Sequence, residues 1–343
     1  MIVRRIECDR QPHRRCALRR RTAAALGAVL ALVVVACSNP PGGAIEKDDG
    51  VIIEARRVPL DFAAPERDTV GRLRYRGGLA LRSADERFGG LSGLLVSPDG
   101  GAFTAVSDNG YWIGANLIYD EDGNLADIAR ATISPMLGPG GRFLRRGAEH
   151  DAEALARAPE GGIYVAFERA HRLWRYDEPG ALPVPIDGPA ELGEQPSSEG
   201  LEALTTLADK RLLALSEGLK TEGGVVGWVR DAGGRWSRLT WRVGGGFRPT
   251  GATTLPEGDV LVLERRFLPP GARFRRIAAA TIAPGTVLEG QQIGRLEGTL
   301  TVDNMEGIDA LRSPDGKVLI YVVSDNNYSS LQTTLLMLFE LID

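Results

Sequence analysis

A short unit of two predicted strands recurs along this sequence and constrains its fold more than any other feature. In the clearest copy, residues 304–312 lead through the turn Pro314-Asp315-Gly316 into the β-branched and aromatic run 318–323. Proline presets the first central φ of such a turn and glycine accepts a positive φ, so the unit predicts an antiparallel hairpin. Glu306 and Asp325 then lie at the same end of this hairpin.

Five copies of the unit are recognisable. We take their equivalent positions to be Ser92, Glu153, Glu199, Thr250 and Glu306, which are separated by steps of 61, 46, 51 and 56 residues. A hairpin that recurs every roughly 40–50 residues is typical of the blades of a β-propeller. The sequence therefore predicts an all-β fold with a single propeller of five explicit repeats, and it leaves five or six blades open. Further strand signals in residues 51–82 and 331–343 predict that the N- and C-terminal strands close the ring.

The N-terminal segment predicts export. Residues 1–21 contain eight arginines, residues 22–36 carry no charge, and Cys37 follows directly. A basic start, a short apolar stretch and a small residue before the processing point are typical of a secretory signal, and fifteen apolar residues are few for a membrane span. We expect residues 1–36 to be a lipoprotein-type signal peptide cleaved before Cys37, which would anchor the protein on the periplasmic side of the bacterial envelope. A plain signal with a chance cysteine is the alternative.

The remainder of the chain is expected to contain a tether over residues 37–50 and one propeller domain over residues 51–343. Without residues 1–36 the chain has 33 basic and 43 acidic side chains. This balance disfavours binding to nucleic acid or to anionic lipid, so contact with a membrane is expected only through the anchor. No cysteine follows Cys37, so the propeller has no disulfide framework. We expect a monomer.

Several glycine- and acid-containing motifs occur in a fixed order. They are Gly89-Gly90-Leu91-Ser92-Gly93-Leu94, Ser107-Asp108-Asn109-Gly110, Asp151-Ala152-Glu153-Ala154-Leu155, Ser198-Glu199-Gly200-Leu201-Glu202-Ala203-Leu204 and Asn304-Met305-Glu306-Gly307-Ile308. Together they resemble the bacterial "esterase-like activity of phytase" family, over roughly Arg76 to the C-terminus. The resemblance implies a propeller, export, and hydrolysis of a phosphoester or carboxylester. The Arg-His-Gly signature of histidine acid phosphatases is absent from the sequence.

Acidic residues open or end the predicted strands, and a propeller would bring them to one mouth. They are Asp108, Glu153, Glu168, Glu199, Glu217, Glu264, Glu306 and Asp325. Converging carboxylates repel one another unless they are protonated, paired or bridged by a cation, and their oxygens suit Ca²⁺. We therefore predict a Ca²⁺ site with Glu153, Glu199 and Glu306 as its ligands. The alternative is that these acids cap backbone groups or pair with nearby arginines.

Two histidines and several cations lie beside the same predicted strand ends. His150 and His171 are the candidate catalytic bases, and the alternative for each is an ordinary loop histidine. Arg169 and Arg265 are the candidate substrate-binding residues, because a guanidinium forks onto phosphate or carboxylate. Lys220 and Arg248 occupy comparable positions, and all four cations could instead balance the acids.

These residues predict an exported esterase-like or phosphoesterase-like hydrolase that acts on a small molecule at a metal-assisted site in the mouth. No Gly-x-Ser-x-Gly, P-loop or His-Glu-x-x-His motif occurs that would favour another mechanism. The alternative function is a non-catalytic, envelope-anchored propeller that binds a ligand or a partner protein through the same mouth, because propellers serve both purposes.

Overall fold

The computed structural model describes residues 50–144, 147 and 149–342. The predicted signal peptide, the lipidation site Cys37 and residues 37–49 of the tether lie outside the described residues, so those interpretations remain predictions. Within the described ranges, no helix has the length and apolar character needed to span a bilayer.

The described chain is built almost entirely of strands. It begins with β1 (Glu54–Arg57), β2 (Thr69–Val70) and β3 (Leu73–Arg82). Blade 1 follows with β4 (Leu91–Val96), β5 (Ala102–Ser107), β6 (Tyr111–Tyr119) and β7 (Leu125–Pro135). Blade 2 contains β8 (Ala152–Arg157), β9 (Ile163–Phe167), β10 (Arg172–Tyr176) and β11 (Val184–Ile186).

The second half of the chain continues the pattern. Blade 3 begins with β12 (Leu201–Thr206), β13 (Leu212–Thr221), β14 (Gly224–Arg230) and β15 (Trp236–Trp241). Next come β16 (Arg248–Thr254), β17 (Val260–Arg266), β18 (Gly271–Ile277), β19 (Val287–Leu288) and β20 (Gln291–Glu297). Blade 4 contains β16, β17, β18 and β20, while β19 joins the outer edge of blade 3. Short 3₁₀ helices lie at Ala190–Glu194 and Ala279–Thr281.

Blade 5 combines the two ends of the described chain. Its inner strands are β21 (Asn304–Arg312), β22 (Val318–Asp325) and β23 (Thr334–Leu341). Strand β23 pairs with β3 from the N-terminal side, and β1 completes the sheet. The prediction that the terminal strands close the propeller is therefore confirmed, and the number of blades is five.

The innermost strands of the five blades form a closed ring around the axis. Strands β4, β8, β12, β16 and β21 contact one another in this order, and β21 contacts β4. Each innermost strand runs away from one end of the axis and the second strand of its blade returns to it, as in the hairpin β21–β22. We call this end the mouth and the opposite end, where the connecting turns lie, the base. At the base, Gly316 of the predicted turn has φ +88°.

The hydrophobic core lies between neighbouring blades, with one cluster at each of the five interfaces. Representative pairs across the interfaces, from blades 1 and 2 round to blades 5 and 1, are Trp112 and Phe167, Tyr164 and Trp228, Trp241 and Val262, Phe274 and Phe339, and Val323 and Ile113. Because both faces of a blade are covered, its middle strands are continuous apolar runs, such as the buried residues 260–263 of β17. Full burial of one such side chain contributes about 1.5–3 kcal/mol.

Candidate functional site

Each innermost strand has one β-bulge near its mouth end. The bulges follow Leu91, Ala152, Leu201, Pro249 and Met305 in the ladders. We call the residues that come next the bulge ring, and they are Ser92, Glu153, Glu202, Thr250 and Glu306. All five are buried. Glu153, Glu202 and Glu306 line a cavity of about 10 Å³ bounded by all five innermost strands, which is room for about one water molecule or ion.

The residue after each bulge must be small because the innermost strands approach closely there. An added Cβ on Gly307 would lie 2.6 Å from the carbonyl oxygen of Ser92, and one on Gly251 would lie 2.6 Å from that of Glu306. The chain has glycine or alanine at all five of these positions, namely Gly93, Ala154, Ala203, Gly251 and Gly307. The glutamate–small-residue pairs of the sequence therefore mark places where a carboxylate is turned out of a tightly packed strand.

A second layer lies at the mouth beside the bulge ring. In each blade it consists of two opposed residues. One lies two positions before the bulge-ring residue, and the other is its partner on the returning second strand, at the mouth. We call these the rim pairs: Gly90 with Asp108, Asp151 with Glu168, Gly200 with Glu217, Arg248 with Arg265, and Asn304 with Asp325. Four blades thus contribute at least one carboxylate to the rim, and blade 4 contributes two arginines.

Burial dominates the electrostatics of the bulge ring. It raises the pKa of Glu153, Glu202 and Glu306 well above the usual value for a glutamate, because the charged form loses its hydration. Neighbouring carboxylates raise these pKa values further: Glu306 acts on Glu153, Glu153 acts on Glu202, and Asp325 acts on Glu306. Without a counter-ion, these side chains therefore resist ionisation.

The same effect extends to the rim pairs. Burial raises the pKa of Asp325 to about 6, that of Glu168 to about 7 and that of Asp108 to about 8. The charges of Asp325 and Asp151 contribute to the shift at Asp108. The rim consequently holds protons in a pH range where exposed carboxyl groups are fully ionised.

Three of these acids form a compact group. In the part of the chain that the structure describes, Asp151, Glu153 and Glu168 are the one set of three metal-ligating side chains whose oxygens all lie within 4.8 Å of one another. The Oε1 atom of Glu168 accepts a hydrogen bond of 2.7 Å from the backbone N–H of Gly200. Asp151 forms an ion pair with Arg169. The group is buried, contains only oxygen donors and carries more negative charge than Arg169 neutralises, which suits a hard cation.

The opposite side of the mouth is arranged around Arg265. Its Nη2 atom donates to Glu217 Oε1 at 3.1 Å, and its Nε atom lies 3.5 Å from Glu306 Oε1. Glu306 also accepts hydrogen bonds from Asn304 Nδ2 at 2.7 Å and from Ser92 Oγ at 3.3 Å. The Oδ1 atom of Asn304 is buried without a hydrogen-bond partner among the described residues, so it is available to a ligand.

The structure brings two of the three predicted metal ligands together. Glu153 belongs to the compact group, and Glu306 lies beside Arg265 and lines the same small cavity as Glu153. Glu199 lies outside both layers: it precedes β12, is partly exposed, and packs so closely on Gly218 that a Cβ there would collide with its carboxylate. In the third repeat, Glu202 and not Glu199 is equivalent to Glu153 and Glu306. The sequence alignment of this repeat was therefore wrong by three residues.

A sequence signal for Glu202 does exist. Glu199-Gly200 resembles Glu306-Gly307, which favoured the wrong alignment, but Glu202-Ala203-Leu204 repeats Glu153-Ala154-Leu155. Glu264 was also predicted to reach the mouth. It points to the other face of β17, where it accepts hydrogen bonds from Trp241 Nε1 and Arg273, because neighbouring residues of a strand face opposite ways. Its neighbour Arg265 occupies the rim.

Both candidate catalytic histidines lie near the mouth. His150 is buried, and its Nδ1 atom hydrogen-bonds the backbone carbonyl of Asp108, so one ring nitrogen already has a structural partner. His171 Nε2 lies 3.1 Å from the carbonyl oxygen of Pro196, and its Nδ1 atom is buried without a partner among the described residues. His171 and Glu168 face the same side of Gly200. A catalytic role for either histidine remains a prediction.

The two arginines predicted to bind substrate are both engaged by carboxylates. Arg169 forms the ion pair with Asp151 and has a φ of +55°, a conformation that residues other than glycine rarely adopt. Arg265 bridges Glu217 and Glu306 and its side chain is only 20% exposed. Charge balance is the role that these contacts support directly, and substrate binding by Arg169 and Arg265 remains a prediction.

Comparison with solved structures yields remote likenesses. A catalytically inactive virginiamycin B lyase from Staphylococcus aureus, crystallised with quinupristin, is 11% identical, with 84% of this chain and 100% of that chain covered and a TM-score of 0.43. A gluconolactonase from Xanthomonas campestris is 12% identical, with 88% and 99% covered and a TM-score of 0.42. Values of this size carry no information about the chemistry of this chain. No curated protein matches the sequence.

A family model gives a more specific result. The model described as "Esterase-like activity of phytase" matches residues 86–328, which is well over half of the chain. The matched range begins before Gly90 and ends after Asp325, so it contains the whole bulge ring and all the rim pairs. The chain belongs to the phytase-like family described as "esterase-like activity of phytase".

Proposed function

We propose that this chain is an exported hydrolase that cleaves an ester or phosphoester bond of a small molecule with the help of a cation at the propeller mouth. The observation that carries the proposal is the compact buried group of Asp151, Glu153 and Glu168, whose oxygens lie within 4.8 Å of one another. Membership of the family supports ester chemistry. Export rests on residues 1–36, and lipid attachment rests on Cys37.

The donor set fits Ca²⁺ best. Asp151, Glu153 and Glu168 offer carboxylate oxygens only, and Ca²⁺ accepts such ligands in flexible geometry, whereas Mg²⁺ demands a stricter octahedron. Their buried carboxylates, once ionised, also lack sufficient compensation from Arg169, the one arginine among the described residues that forms an ion pair with this group. When bound, the cation would polarise the ester or phosphoryl oxygen of the substrate.

The residues around this group supply the remaining functions. Asp108 is a half-buried carboxyl group at the rim whose buried Oδ1 atom has no hydrogen-bond partner among the described residues, and its pKa of about 8 suits it to hand a proton to a leaving-group oxygen. His150 holds the backbone of Asp108 in place through its Nδ1 atom. His171 lies beside Glu168 and orders the other side of the site.

Hydrolysis of p-nitrophenyl acetate and p-nitrophenyl phosphate by the purified protein tests this proposal, first with a chelator and then with added Ca²⁺. We expect cleavage of at least one of them to require the cation, and Glu153→Gln to reduce it by about 100-fold, a size typical for loss of one essential group. Glu160→Gln is the matched control, because Glu160 lies in a turn at the base. We also expect Ca²⁺ to raise the melting temperature, since it binds only the folded state.

Failure of both readouts would remove the proposal. A protein that cleaves neither ester and melts at the same temperature with chelator and with Ca²⁺ would instead match the alternative of a non-catalytic propeller that binds a ligand or a partner protein.

A further inference from the structure

The mouth contains an arginine that has no carboxylate partner among the residues that the structure describes. Arg248 is the first residue of β16 and stands directly opposite Arg265 in the β16–β17 ladder. Directly opposed residues of an antiparallel pair project from the same face of the sheet. Because the Arg265 side chain reaches the mouth acids Glu217 and Glu306, Arg248 belongs to the same face.

The repeat of the fold gives the same placement independently. Arg248 lies two residues before the bulge-ring residue Thr250, as Asp151 lies two before Glu153 and Asn304 two before Glu306. Asp151 belongs to the compact acidic group, and Asn304 bonds Glu306 within the mouth. A side chain at this position is therefore part of the rim in every blade where the residue has one.

Arg248 differs in its contacts from Arg265 and from Arg169, the two arginines that pair with mouth acids. Arg169 and Arg265 both form ion pairs with mouth carboxylates. Within residues 50–144, 147 and 149–342, Arg248 has no carboxylate within 4.0 Å and makes no side-chain hydrogen bond, although its charge is close enough to lower the pKa of Glu217. Its guanidinium thus keeps all of its donors for another molecule.

The approach to Arg248 is open. Residues 244–246, which are separated from it by the buried Phe247, are three exposed glycines, and a Cβ on Gly244 would meet no other atom within 4 Å. Arg248 itself is half-buried, so part of the residue is accessible from solvent. A small molecule at the mouth could therefore contact the guanidinium without displacing any side chain of this segment.

We propose that Arg248 binds an anionic group of the substrate, so that the site prefers esters bearing a carboxylate or a phosphate over neutral esters. A guanidinium forks onto either group with two parallel hydrogen bonds. The term substrate rests on the proposed function, whereas anion binding at Arg248 does not. In a mouth with a surplus of carboxylates, an anion is repelled unless a cationic group receives it, and Arg248 is the rim arginine that no described carboxylate occupies.

Binding measurements test the proposal without any need for catalysis. Succinate and phenyl phosphate are titrated calorimetrically into the wild type, Arg248→Gln, Arg248→Lys and the control Arg242→Gln in the presence of Ca²⁺. Arg242 lies at the end of blade 3 and pairs with Glu289, so its replacement removes the same charge away from the rim. We expect the wild type to bind at least one probe, Arg248→Gln to weaken that binding by about 10-fold or more, and Arg248→Lys to weaken it less.

The probe that depends on Arg248 identifies whether the group is a carboxylate or a phosphate. Equal binding by Arg248→Gln, or a wild type that binds neither probe, overturns the proposal. Arg248→Lys keeps the test decisive if the glutamine variant has an altered melting temperature. Lysine retains the positive charge but cannot donate two parallel hydrogen bonds, so an intermediate affinity is expected only when the guanidinium itself contacts the anion.

A hydrolysis experiment separates this inference from the proposed function. With monomethyl succinate, Arg248→Gln should raise KM by about 10-fold, while KM for the neutral dimethyl succinate should stay unchanged. Arg248-dependent binding of succinate by a protein that cleaves neither ester would overturn the proposed hydrolase and leave the anion site intact.

Discussion

The two ends of the propeller axis both contain buried carboxylates, but the base compensates its carboxylate more completely than the mouth does. At the base, Asp309 of β21 accepts hydrogen bonds from Arg157 Nη1 at 3.0 Å and Arg157 Nη2 at 2.7 Å. It also accepts bonds from the backbone N–H of Val96 at 2.7 Å and from Thr253 Oγ1 at 3.2 Å. Four donors from three other blades thus converge on one carboxylate, as a buried charge requires.

The mouth has a much lower ratio of donors to acids. Its buried or half-buried carboxyl groups are Asp108, Asp151, Glu153, Glu168, Glu202, Glu217, Glu306 and Asp325, and their ion pairs with arginine involve only Arg169 and Arg265. Asp108 Oδ1 and Asn304 Oδ1 have no hydrogen-bond partner within the described ranges. The same fold can therefore neutralise an axial carboxylate fully, whereas at the mouth the two arginines neutralise only part of the acidic side chains.

This difference argues for binding rather than for folding as the role of the mouth acids. Uncompensated buried carboxyl groups destabilise the native state through desolvation and mutual repulsion. Perturbed carboxyl groups of this kind are typical of functional sites, where a ligand supplies the missing partner. The base ties neighbouring blades together, and the mouth retains unsatisfied carboxyl groups, as the proposed cation and substrate site requires.

The largest expected effect is at the base. Asp309→Ala should lower the free energy of unfolding by about 3 kcal/mol, because it leaves the Val96 N–H and the Arg157 guanidinium without their shared acceptor. Chemical denaturation measures this loss, with Asp315→Ala in an exposed turn as the control. A loss below 1 kcal/mol for Asp309→Ala would contradict the assignment of the base as the stabilising end.

Much of this architecture could be predicted from the sequence. Turn residues and β-branched runs are local, so the hairpin repeat indicated the propeller, the shared end of the hairpin strands and the closing strand β23. What failed was register. A one-residue shift turned Glu264 away from the mouth, and a three-residue shift replaced Glu202 with Glu199, because a Glu-Gly pair occurs in both contexts.

The pairing of the acids could not be predicted, because it depends on contacts between blades. Arg265 of blade 4 meets Glu217 of blade 3 and Glu306 of blade 5, and no local pattern encodes which carboxylates a long side chain will reach. The free state of Arg248 is likewise visible only once the neighbouring blades are in place.

The second prediction concerns pH and has an intermediate size. In the metal-free protein, the raised pKa values of Asp325, Glu168 and Asp108, at about 6, 7 and 8, mean that the folded state binds more protons than the unfolded state between about pH 4 and pH 8. Stability therefore falls as pH rises through this window, because the folded state must hold protons that the unfolded state has already released.

Melting curves recorded with a chelator at several pH values measure this change in stability. Addition of Ca²⁺ at pH 8 then tests whether the mouth, unlike the base, lacks a counter-ion. A cation that binds the ionised carboxylates should restore most of the lost stability. A metal-free protein whose stability is constant or increases over the same range would show that the mouth acids are compensated as fully as Asp309.

The smallest expected effect distinguishes Glu202 from Glu199. In the metal-free protein at pH 8, Glu202→Gln should raise the free energy of unfolding by about 1 kcal/mol, because a neutral amide of the same size removes the cost of either protonating this carboxyl group or burying its charge beside Glu153. The same substitution should reduce the stabilisation by Ca²⁺. Glu199→Gln should change the free energy of unfolding by less than about 0.5 kcal/mol and leave the response to Ca²⁺ unchanged, as expected for a partly exposed side chain outside the bulge ring. Parallel melting curves of the two variants, with chelator and with Ca²⁺, decide between them. If Glu199→Gln and not Glu202→Gln alters the response to Ca²⁺, the bulge ring does not hold the charge that attracts the cation.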